Sequence, residues 1–356
     1  MKDTFTGRLP KLDFLRAFSA GVVIAYHYGF EAVPAGFGVL TFFVISGFLI
    51  TFLLLKENER TGTVSLKDFY IRRSLRIFPA FYVYWLLVVG TILVVKPSRL
   101  PVTQAICSFF YVANYYQGLH GYPSTLLSHT WSLGVEEQFY LLWPAMFVLM
   151  RHRLPGLIRS LVVLIPCLWV LRAGLFIGGV PDPYIYTSFE TRVDAILVGC
   201  LLAVVLYTGA AAGVVAELRR ARYVPVVVAG LALSLFGGTR LSPYYYKNVV
   251  GFAVDPVLVG LLLLQLTATK RWAWMDSTPI SYLGRISYST YLYQQAVLPV
   301  LRPRLPHSLS LAGCFVGIWA VAAISYELVE KPFLKLKRRF EVVKVPEGEA
   351  PVRALV

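Results

Sequence analysis

Ten long apolar segments follow one another along the chain, and they restrict its fold more than any other feature. They cover residues 12–30, 35–55, 78–95, 133–150, 157–177, 191–208, 223–237, 249–266, 283–301 and 309–329. A membrane-spanning helix needs roughly 20 mostly apolar residues, and only helices and closed barrels can cross a bilayer. Because these runs are continuous rather than alternating, they exclude a barrel. The sequence therefore predicts an all-α, polytopic membrane protein of about ten transmembrane helices.

The amino-acid composition also indicates that the chain lies in a lipid bilayer. Hydrophobic residues make up 57% of the sequence and charged residues only 15%, whereas a soluble domain carries about 25% charged residues. The four cysteines lie far apart with no C-x-x-C spacing, so neither a metal site nor a disulfide framework is predicted. A bilayer is the expected environment, with membrane lipid as an expected partner.

The basic residues behind the net charge of +15 are not spread evenly along the chain. With the N-terminus placed in the cytoplasm, 25 of the 34 Lys and Arg residues fall in inside segments, six in outside loops and three within spans. Cytoplasmic loops of membrane proteins carry such an excess, which predicts an even number of spans and two cytoplasmic termini. The basic excess is a topology signal, and nucleic-acid binding is not expected.

No soluble domain and no internal repeat interrupts this pattern. Residues 1–334 are expected to form one membrane domain, and residues 335–356 a basic juxtamembrane helix with a disordered cytoplasmic tail. The inside loop 56–77 ends in a basic stretch that indicates an interfacial helix. The outside segment 96–132 is rich in Tyr, Pro, Gly and His, and loops of this length tend to be functional.

The first apolar segment carries the ionisable residues Arg16 and His27. Charged groups at the centre of a span cost about 2.5–3.5 kcal/mol on insertion scales, so they persist where they line a cavity or find partners. Eleven helical steps return the two side chains to within about 20° of the same face, roughly 16 Å apart along the axis. An isolated buried histidine is often only a packed residue, but the face shared with Arg16 favours a functional site.

Three arginines, Arg72, Arg73 and Arg76, lie at the inner edge of the third apolar segment. Arg73 and Arg76 are three residues apart and share a helix face. Contact with lipid headgroups would account for them. The alternative is a phosphate clamp, because guanidinium groups match phosphate oxygens bidentately, and the sequence leaves both interpretations open.

The second segment opens with Gly36 and Gly38 and continues to Ser46. Small residues let helices approach closely, which is one interpretation of the glycines. The other is that they let a narrow chain such as the pantetheine arm of coenzyme A pass beside the backbone. In that case Gly36, Gly38 and Ser46 contact the donor.

Two adjacent carboxylates, Glu136 and Glu137, fall at the start of the fourth segment. A helix N-terminus favours negative charge for dipole reasons alone, yet a pair flanked by aromatic residues at the membrane edge also suits a polar pocket. Further polar residues occur in later segments: Arg192, Asp194, Asp255, Tyr288, Tyr291, Glu327 and Glu330. Together they indicate more buried polarity than a passive anchor needs.

Seven motifs in order resemble the acyltransferase type 3 family of membrane proteins, whose members O-acylate surface polysaccharides, lipids and some antibiotics. They cover roughly residues 8–334 and read LDFLRAFSAGVVIAYH, GFGVLTFFVISGFLIT, KDFYIRRSLRIFPAFY, HTWSLGVEEQFYLLWP, RVDAILVG, LGRISYSTYLY and ELVEKPF. The resemblance implies a ten-helix domain, a cytoplasmic acyl-CoA donor, with acetyl-CoA as the expected form, and a carbohydrate or glycolipid acceptor near the outer face.

The resemblance also implies roles for individual residues. They are His27 as the catalytic histidine, Arg16 as its partner in the Arg-x10-His motif, and Arg73 and Arg76 as the basic pair. The chain departs from the family at Gln294, where a histidine commonly ends this ninth-helix motif. An additional hydrolase-like outer domain, which some members carry, is not expected here.

These residues predict an O-acyltransferase of the bacterial inner membrane that uses no metal. Histidine titrates nearest to working pH, so His27 is expected to deprotonate the acceptor hydroxyl, with an acyl-histidine relay as the alternative. Arg73 and Arg76, together with Arg72, would bind the phosphates of the donor. Glu136 or Glu137 would orient the acceptor or the histidine. The remaining histidines are predicted to be loop residues that offer no substitute base: His120, His129, His152 and His307.

A different class of protein fits the composition equally well. In a transporter or flippase the buried Arg, His and Glu residues would relay ions or protons. The basic trio at the inner edge and the ordered motifs favour the enzyme. The oligomeric state is not predicted.

Overall fold

Helices are the only regular secondary structure in the computed structural model over the residues that it describes, which are 11–30, 35–99, 101–123, 125–238, 240, 245–269 and 271–340. The α-helices are α1 Leu12–Tyr28, α2 Ala35–Thr61, α3 Leu66–Val95, α4 Val102–Phe109, α5 Ala113–His120, α6 Thr130–Met150, α7 Leu154–Ile177, α8 Asp182–Thr187, α9 Phe189–Thr208, α10 Ala212–Leu218, α11 Val224–Ala232, α12 Phe252–Ala268, α13 Thr278–Leu301, α14 His307–Ser325 and α15 Lys331–Lys337. Three π-helical stretches extend them at Leu233–Gly238, Tyr246–Gly251 and Tyr326–Glu330. Most of the predicted disordered tail, from residue 341 onward, lies outside the described residues, as do residues 1–10.

A helix or helical run occupies each of the ten predicted segments. Within the described residues, five are long and apolar enough to cross a membrane: Gly36–Thr61, Leu66–Val95, Leu154–Ile177, Tyr246–Ala268 and Leu309–Phe340. A sixth results if the pair Asp182–Thr208 and Ala212–Leu218, bent by 116°, is one broken span. By contrast, α1 has 17 residues and is about 25 Å long, somewhat shorter than the roughly 30 Å hydrocarbon core. The chain is therefore a helical membrane protein.

Helix α2 forms the centre of the bundle, since 83% of its apolar window is buried. Its backbone lies directly against the backbone of α9, with almost no side-chain atoms between them. A Cβ atom on Gly47 would lie 1.8 Å from the carbonyl oxygen of Ile196, and one on Gly199 would lie 2.0 Å from that of Val44. Only glycine permits this approach, as in other membrane helix pairs.

The peripheral helices present apolar side chains outward. Only 17% of the apolar window of α7 is buried, and Val170 on this helix is 72% exposed. At the ends of α3 and α6, Val94 and Leu149 are each 85% exposed. Apolar side chains this exposed are stable against lipid tails, so these surfaces are the lipid-facing ones.

The predicted interfacial helix at the end of segment 56–77 is wrong. Helix α3 begins at Leu66, capped by the Ser65 hydroxyl, which accepts from the Asp68 amide at 3.2 Å. It then continues without a break to Val95, a length of about 45 Å for its 30 residues. The basic stretch therefore belongs to the first turns of a long helix that exceeds the thickness of a bilayer core.

The segment 96–132 has structure of its own. It contains α4 and α5, and hydrogen bonds attach it to α3. The Tyr84 hydroxyl donates to the Leu126 carbonyl at 2.6 Å, and the Trp85 indole donates to the Ala105 carbonyl at 3.0 Å. This segment is therefore fixed against the bundle, where it contributes to the site described below.

Candidate active site

Two cavities lie within the bundle and meet at a thin partition. The smaller, about 90 Å³, is lined by three arginines and two glutamates, Arg16, Arg73, Arg76, Glu136 and Glu137, and we call it the arginine cavity. The larger, about 480 Å³, contains His27 and is called the histidine cavity. Val39 and Tyr291 line both. Six of the predicted site residues line the arginine cavity: Arg16, Ser46, Arg73, Arg76, Glu136 and Glu137.

Cationic groups on α1 and α3 converge on the arginine cavity. The Arg73 guanidinium lies 4.0 Å from the centroid of the Tyr140 ring, a cation–π contact that fixes its plane. Arg76 is only 5% exposed. The Arg73 Nε and Arg76 Nη1 atoms are buried and have no hydrogen-bond partner. Buried donors of this kind are normally satisfied, so these two atoms suit an anionic ligand such as a phosphate.

Carboxylates lie beside these arginines. The Tyr140 hydroxyl donates to Ser46 Oγ at 3.0 Å, and Ser46 in turn donates to Glu136 Oε1 at 2.6 Å. Glu137 lines the same cavity. Glu330, which is 1% exposed, accepts from the Ser289 hydroxyl at 2.5 Å and neighbours Arg76. The carboxylates offset the arginine charge that would otherwise be buried unpaired.

His27 lies in the last turn of α1, and its side chain is exposed toward the histidine cavity. Helix α1 ends at Tyr28, two residues before the end of the predicted segment 12–30, so His27 is one residue from the end of the helix. Its Nδ1 atom lies 2.8 Å from Oε1 of Gln294 on α13. A carbonyl oxygen only accepts hydrogen bonds, so with this orientation Nδ1 carries the proton and Nε2 keeps a free lone pair.

His129 is a second histidine of the same cavity, and it lies in the turn before α6, so its prediction as a loop residue is confirmed while its burial was not predicted. It is the N-cap of α6, it is 3% exposed, and it lines the histidine cavity with His27. Its ring lies 5.4 Å from the ring centroids of both Tyr84 and Tyr291. The motif HTWSL contains this residue, and the large aromatic side chain of Trp131 two residues later was the sequence signal that could have indicated it.

The rest of the histidine cavity combines aromatic and charged side chains. Trp131 and Tyr186 have ring centroids 5.0 Å apart. The Tyr122 hydroxyl donates to Asp182 Oδ2 at 2.9 Å, and Lys247 Nζ lies 3.8 Å from the same oxygen. Apolar walls with a few fixed polar groups are typical of small-molecule sites. Within the described residues, no group of three or more His, Cys, Asp or Glu side chains could hold a metal ion.

Three predicted residues lie elsewhere. Gly36 lines the histidine cavity rather than the arginine cavity. A Cβ atom on Gly38 would lie 2.6 Å from the Ser19 carbonyl oxygen, so this glycine serves the close packing of α1 and α2. Arg72 pairs with Glu57 at 2.6 Å and donates to the Phe340 carbonyl at 2.9 Å. Neither Gly38 nor Arg72 lines either cavity.

The partition between the cavities is held by hydrogen bonds of Tyr291. Its hydroxyl donates to the His129 carbonyl at 3.0 Å and shares a 2.6 Å hydrogen bond with Ser132 Oγ. His129 lines the histidine cavity and Ser132 the arginine cavity. The first turn of α6 therefore passes from one cavity to the other beside Tyr291.

Residues 9–328 match the family model described as an acyltransferase domain. The chain belongs to the acyltransferase type 3 family. The chain is 31% identical over 354 residues to the peptidoglycan O-acetyltransferase OatA of Listeria monocytogenes, covering 92% of this chain and 56% of that relative. It is 28% identical over 349 residues to the O-acetyltransferase OatA of Staphylococcus aureus, covering 92% and 57%. The chain thus spans little more than half the length of these relatives, and no solved structure matches it.

Proposed function

We propose that this chain is an integral membrane O-acyltransferase that moves an acetyl group from cytoplasmic acetyl-CoA to a hydroxyl of a carbohydrate or glycolipid acceptor. The bacterial inner membrane is its proposed location. The observation that carries the proposal is the meeting of the two cavities at Val39 and Tyr291. An anion-binding site and a histidine with a free nitrogen lie on either side of that partition. The names of the relatives support an acetyl group and a polysaccharide acceptor.

The proposed donor site is the arginine cavity. Unpartnered guanidinium donors of Arg73 and Arg76 fit phosphate oxygens of coenzyme A. When bound, the thioester supplies the acyl group. Arg16 and His27 lie roughly 16 Å apart along α1, a distance comparable to the length of a pantetheine arm. A donor held by its phosphates at the arginines would thus present its thioester near Val39 and Tyr291.

In the proposed reaction His27 acts as the general base. The Gln294 contact keeps the proton on Nδ1, so Nε2 accepts the proton of the acceptor hydroxyl as it attacks the thioester carbonyl. The same nitrogen then returns a proton to the leaving thiolate. The hydrogen bond to Gln294 becomes stronger while the ring is charged, because it then joins a cation to a carbonyl oxygen.

Replacing Gln294 tests this orientation of the base. Gln294→Leu is expected to lower kcat about tenfold or more, the worth of a hydrogen bond to a charged group. The KM for acetyl-CoA should stay unchanged, because Gln294 does not line the arginine cavity. Gln294→His, which installs the residue common in the family, should retain most of the activity, since a ring nitrogen can accept from Nδ1. Equal loss in both variants, or a loss confined to KM, would contradict the positioning role.

The proposed topology has ten spans and two cytoplasmic termini. The division of 25 inside and six outside Lys and Arg residues supports it, as does the helical run in each of the ten segments. Reporter fusions after Val356 and within segment 96–132 are expected to report opposite sides of the membrane. The same side for both fusions would reject an even span count.

The proposed activity is tested most directly by mass. Surface-polysaccharide and lipid fractions from cells with and without the gene should differ by acetyl groups on one species. Purified protein in lipid nanodiscs should then transfer labelled acetyl from acetyl-CoA to that species. If the protein binds no acetyl-CoA and every fraction is unchanged, the proposal is wrong and the transporter class is favoured.

A further inference from the structure

The buried histidine His129 lies beside the junction of the two cavities, and the proposed reaction does not use it. His129 is the N-cap of α6, and the partition residue Tyr291 donates to its carbonyl. Its ring packs on the Tyr291 ring at 5.4 Å, on the histidine-cavity side. A thioester that passes Tyr291 toward His27 therefore arrives beside the His129 ring.

The ring nitrogens of His129 can form a hydrogen bond with a ligand. Neither ring nitrogen forms a hydrogen bond of acceptable geometry. The Gln295 side chain and the Leu292 backbone are its polar neighbours. Adjacent glutamines on α13 thus neighbour the two histidines: Gln294 is hydrogen-bonded to His27, whereas Gln295 lies beside His129 without a hydrogen bond of acceptable geometry to its ring.

Burial keeps this ring uncharged. His129 is 3% exposed, and its ring neighbours are the tyrosines Tyr84 and Tyr291. A charged imidazolium buried without a carboxylate partner is strongly disfavoured. A neutral imidazole has one N–H donor, and neutral histidines polarise carbonyl groups in this way in other enzymes.

We propose that His129 is a second catalytic residue, which donates its ring N–H to the carbonyl oxygen of the acyl thioester. This inference rests on the proposed function. As the acceptor oxygen bonds to the carbonyl carbon, its proton passes to His27 and the carbonyl oxygen gains the electron pair. The His129 N–H stabilises that oxyanion. The carbonyl then re-forms, the C–S bond breaks, and the thiolate takes the proton from His27.

Infrared spectroscopy of the bound donor tests the contact without turnover. The carbonyl stretch of carbonyl-labelled acetyl-CoA, bound to the protein in nanodiscs without acceptor, is expected at lower wavenumber than in solution. The shift should persist in His129→Gln, whose amide can donate, and disappear in His129→Phe. Wild-type protein that binds acetyl-CoA with no shift would overturn the proposal and leave the proposed function standing. Failure of wild type to bind the donor would instead count against the proposed function.

Kinetics separate a catalytic role from a structural one. Removing one oxyanion donor costs about 10²–10³ in kcat, so His129→Phe should show that loss with the KM for acetyl-CoA unchanged. His129→Gln should stay within about tenfold of wild type and keep the acid limb of its pH–rate profile. His120, which is exposed and lines neither cavity, supplies the control His120→Phe. A His129→Gln protein as inactive as His129→Phe, with its acid limb lost, would show that His129 transfers protons and overturn the oxyanion role.

Discussion

His27→Ala protein is expected to transfer acetyl groups at least a hundredfold more slowly than wild type. General bases contribute typically 10²–10⁴-fold in rate, and His27 has the free nitrogen in the histidine cavity. Affinity for acetyl-CoA should change little, because Arg16 of the arginine cavity lies roughly 16 Å from His27 along α1. The measurement is single-turnover transfer from labelled acetyl-CoA, with binding measured in parallel.

His120→Ala is the matched control, since His120 is exposed at the end of α5 and lines neither cavity. It should retain wild-type activity. A His27→Ala protein that folds and keeps more than about a tenth of wild-type activity cannot be reconciled with a general base worth 10²-fold or more. A packing histidine would instead lower the thermal stability and leave the specific activity of the surviving protein near normal.

Arg73→Ala and Arg76→Ala are each expected to weaken acetyl-CoA binding by about 1.5–3 kcal/mol, the worth of a hydrogen bond to a charged group. This corresponds to about 10- to 150-fold in Kd. The reason is that the Arg73 Nε and Arg76 Nη1 atoms are buried without partners. Calorimetric titration of the folded variants with acetyl-CoA measures the effect directly.

Arg60→Ala provides the comparison, because this arginine is exposed in the last turn of α2 and lines neither cavity. Its affinity for acetyl-CoA should equal that of wild type. Unchanged affinity in both Arg73→Ala and Arg76→Ala would assign these arginines to lipid headgroups or to the carboxylates beside them. Arg72→Ala should act on stability instead, since Arg72 is paired with Glu57.

The sequence predicts the relative positions of side chains that lie on the same helix, because these follow from helical periodicity. The helical relationship of Arg16 to His27 follows from α1 being one uninterrupted helix. The side chains of Arg73 and Arg76 share a face of α3 for the same reason, and both line one cavity. Long apolar runs likewise indicate helices whether they face lipid, as α7 does, or other helices, as α2 does.

Contacts between distant segments could not be predicted. The partner of His27 is Gln294, 267 positions away, and no pattern in a single sequence joins them. His129 is assigned to a loop because it precedes the apolar run, yet the folding of segment 96–132 against α3 buries it. Gly38 illustrates the same limit, since only the position of α1 shows that its missing side chain makes room for the Ser19 carbonyl.

The thin partition at Val39 and Tyr291 has a consequence for the energy supply of the cell. A water-filled passage through the proposed ten-span topology would dissipate the proton gradient across the membrane. Tyr291 is 7% exposed, is hydrogen-bonded to Ser132 and to the His129 carbonyl, and lies between the two cavities. A pantetheine arm that displaces this ring would itself plug the opening. Under the proposed function, an activated acyl group would thus reach the opposite side of the membrane while the bilayer stays insulating to ions.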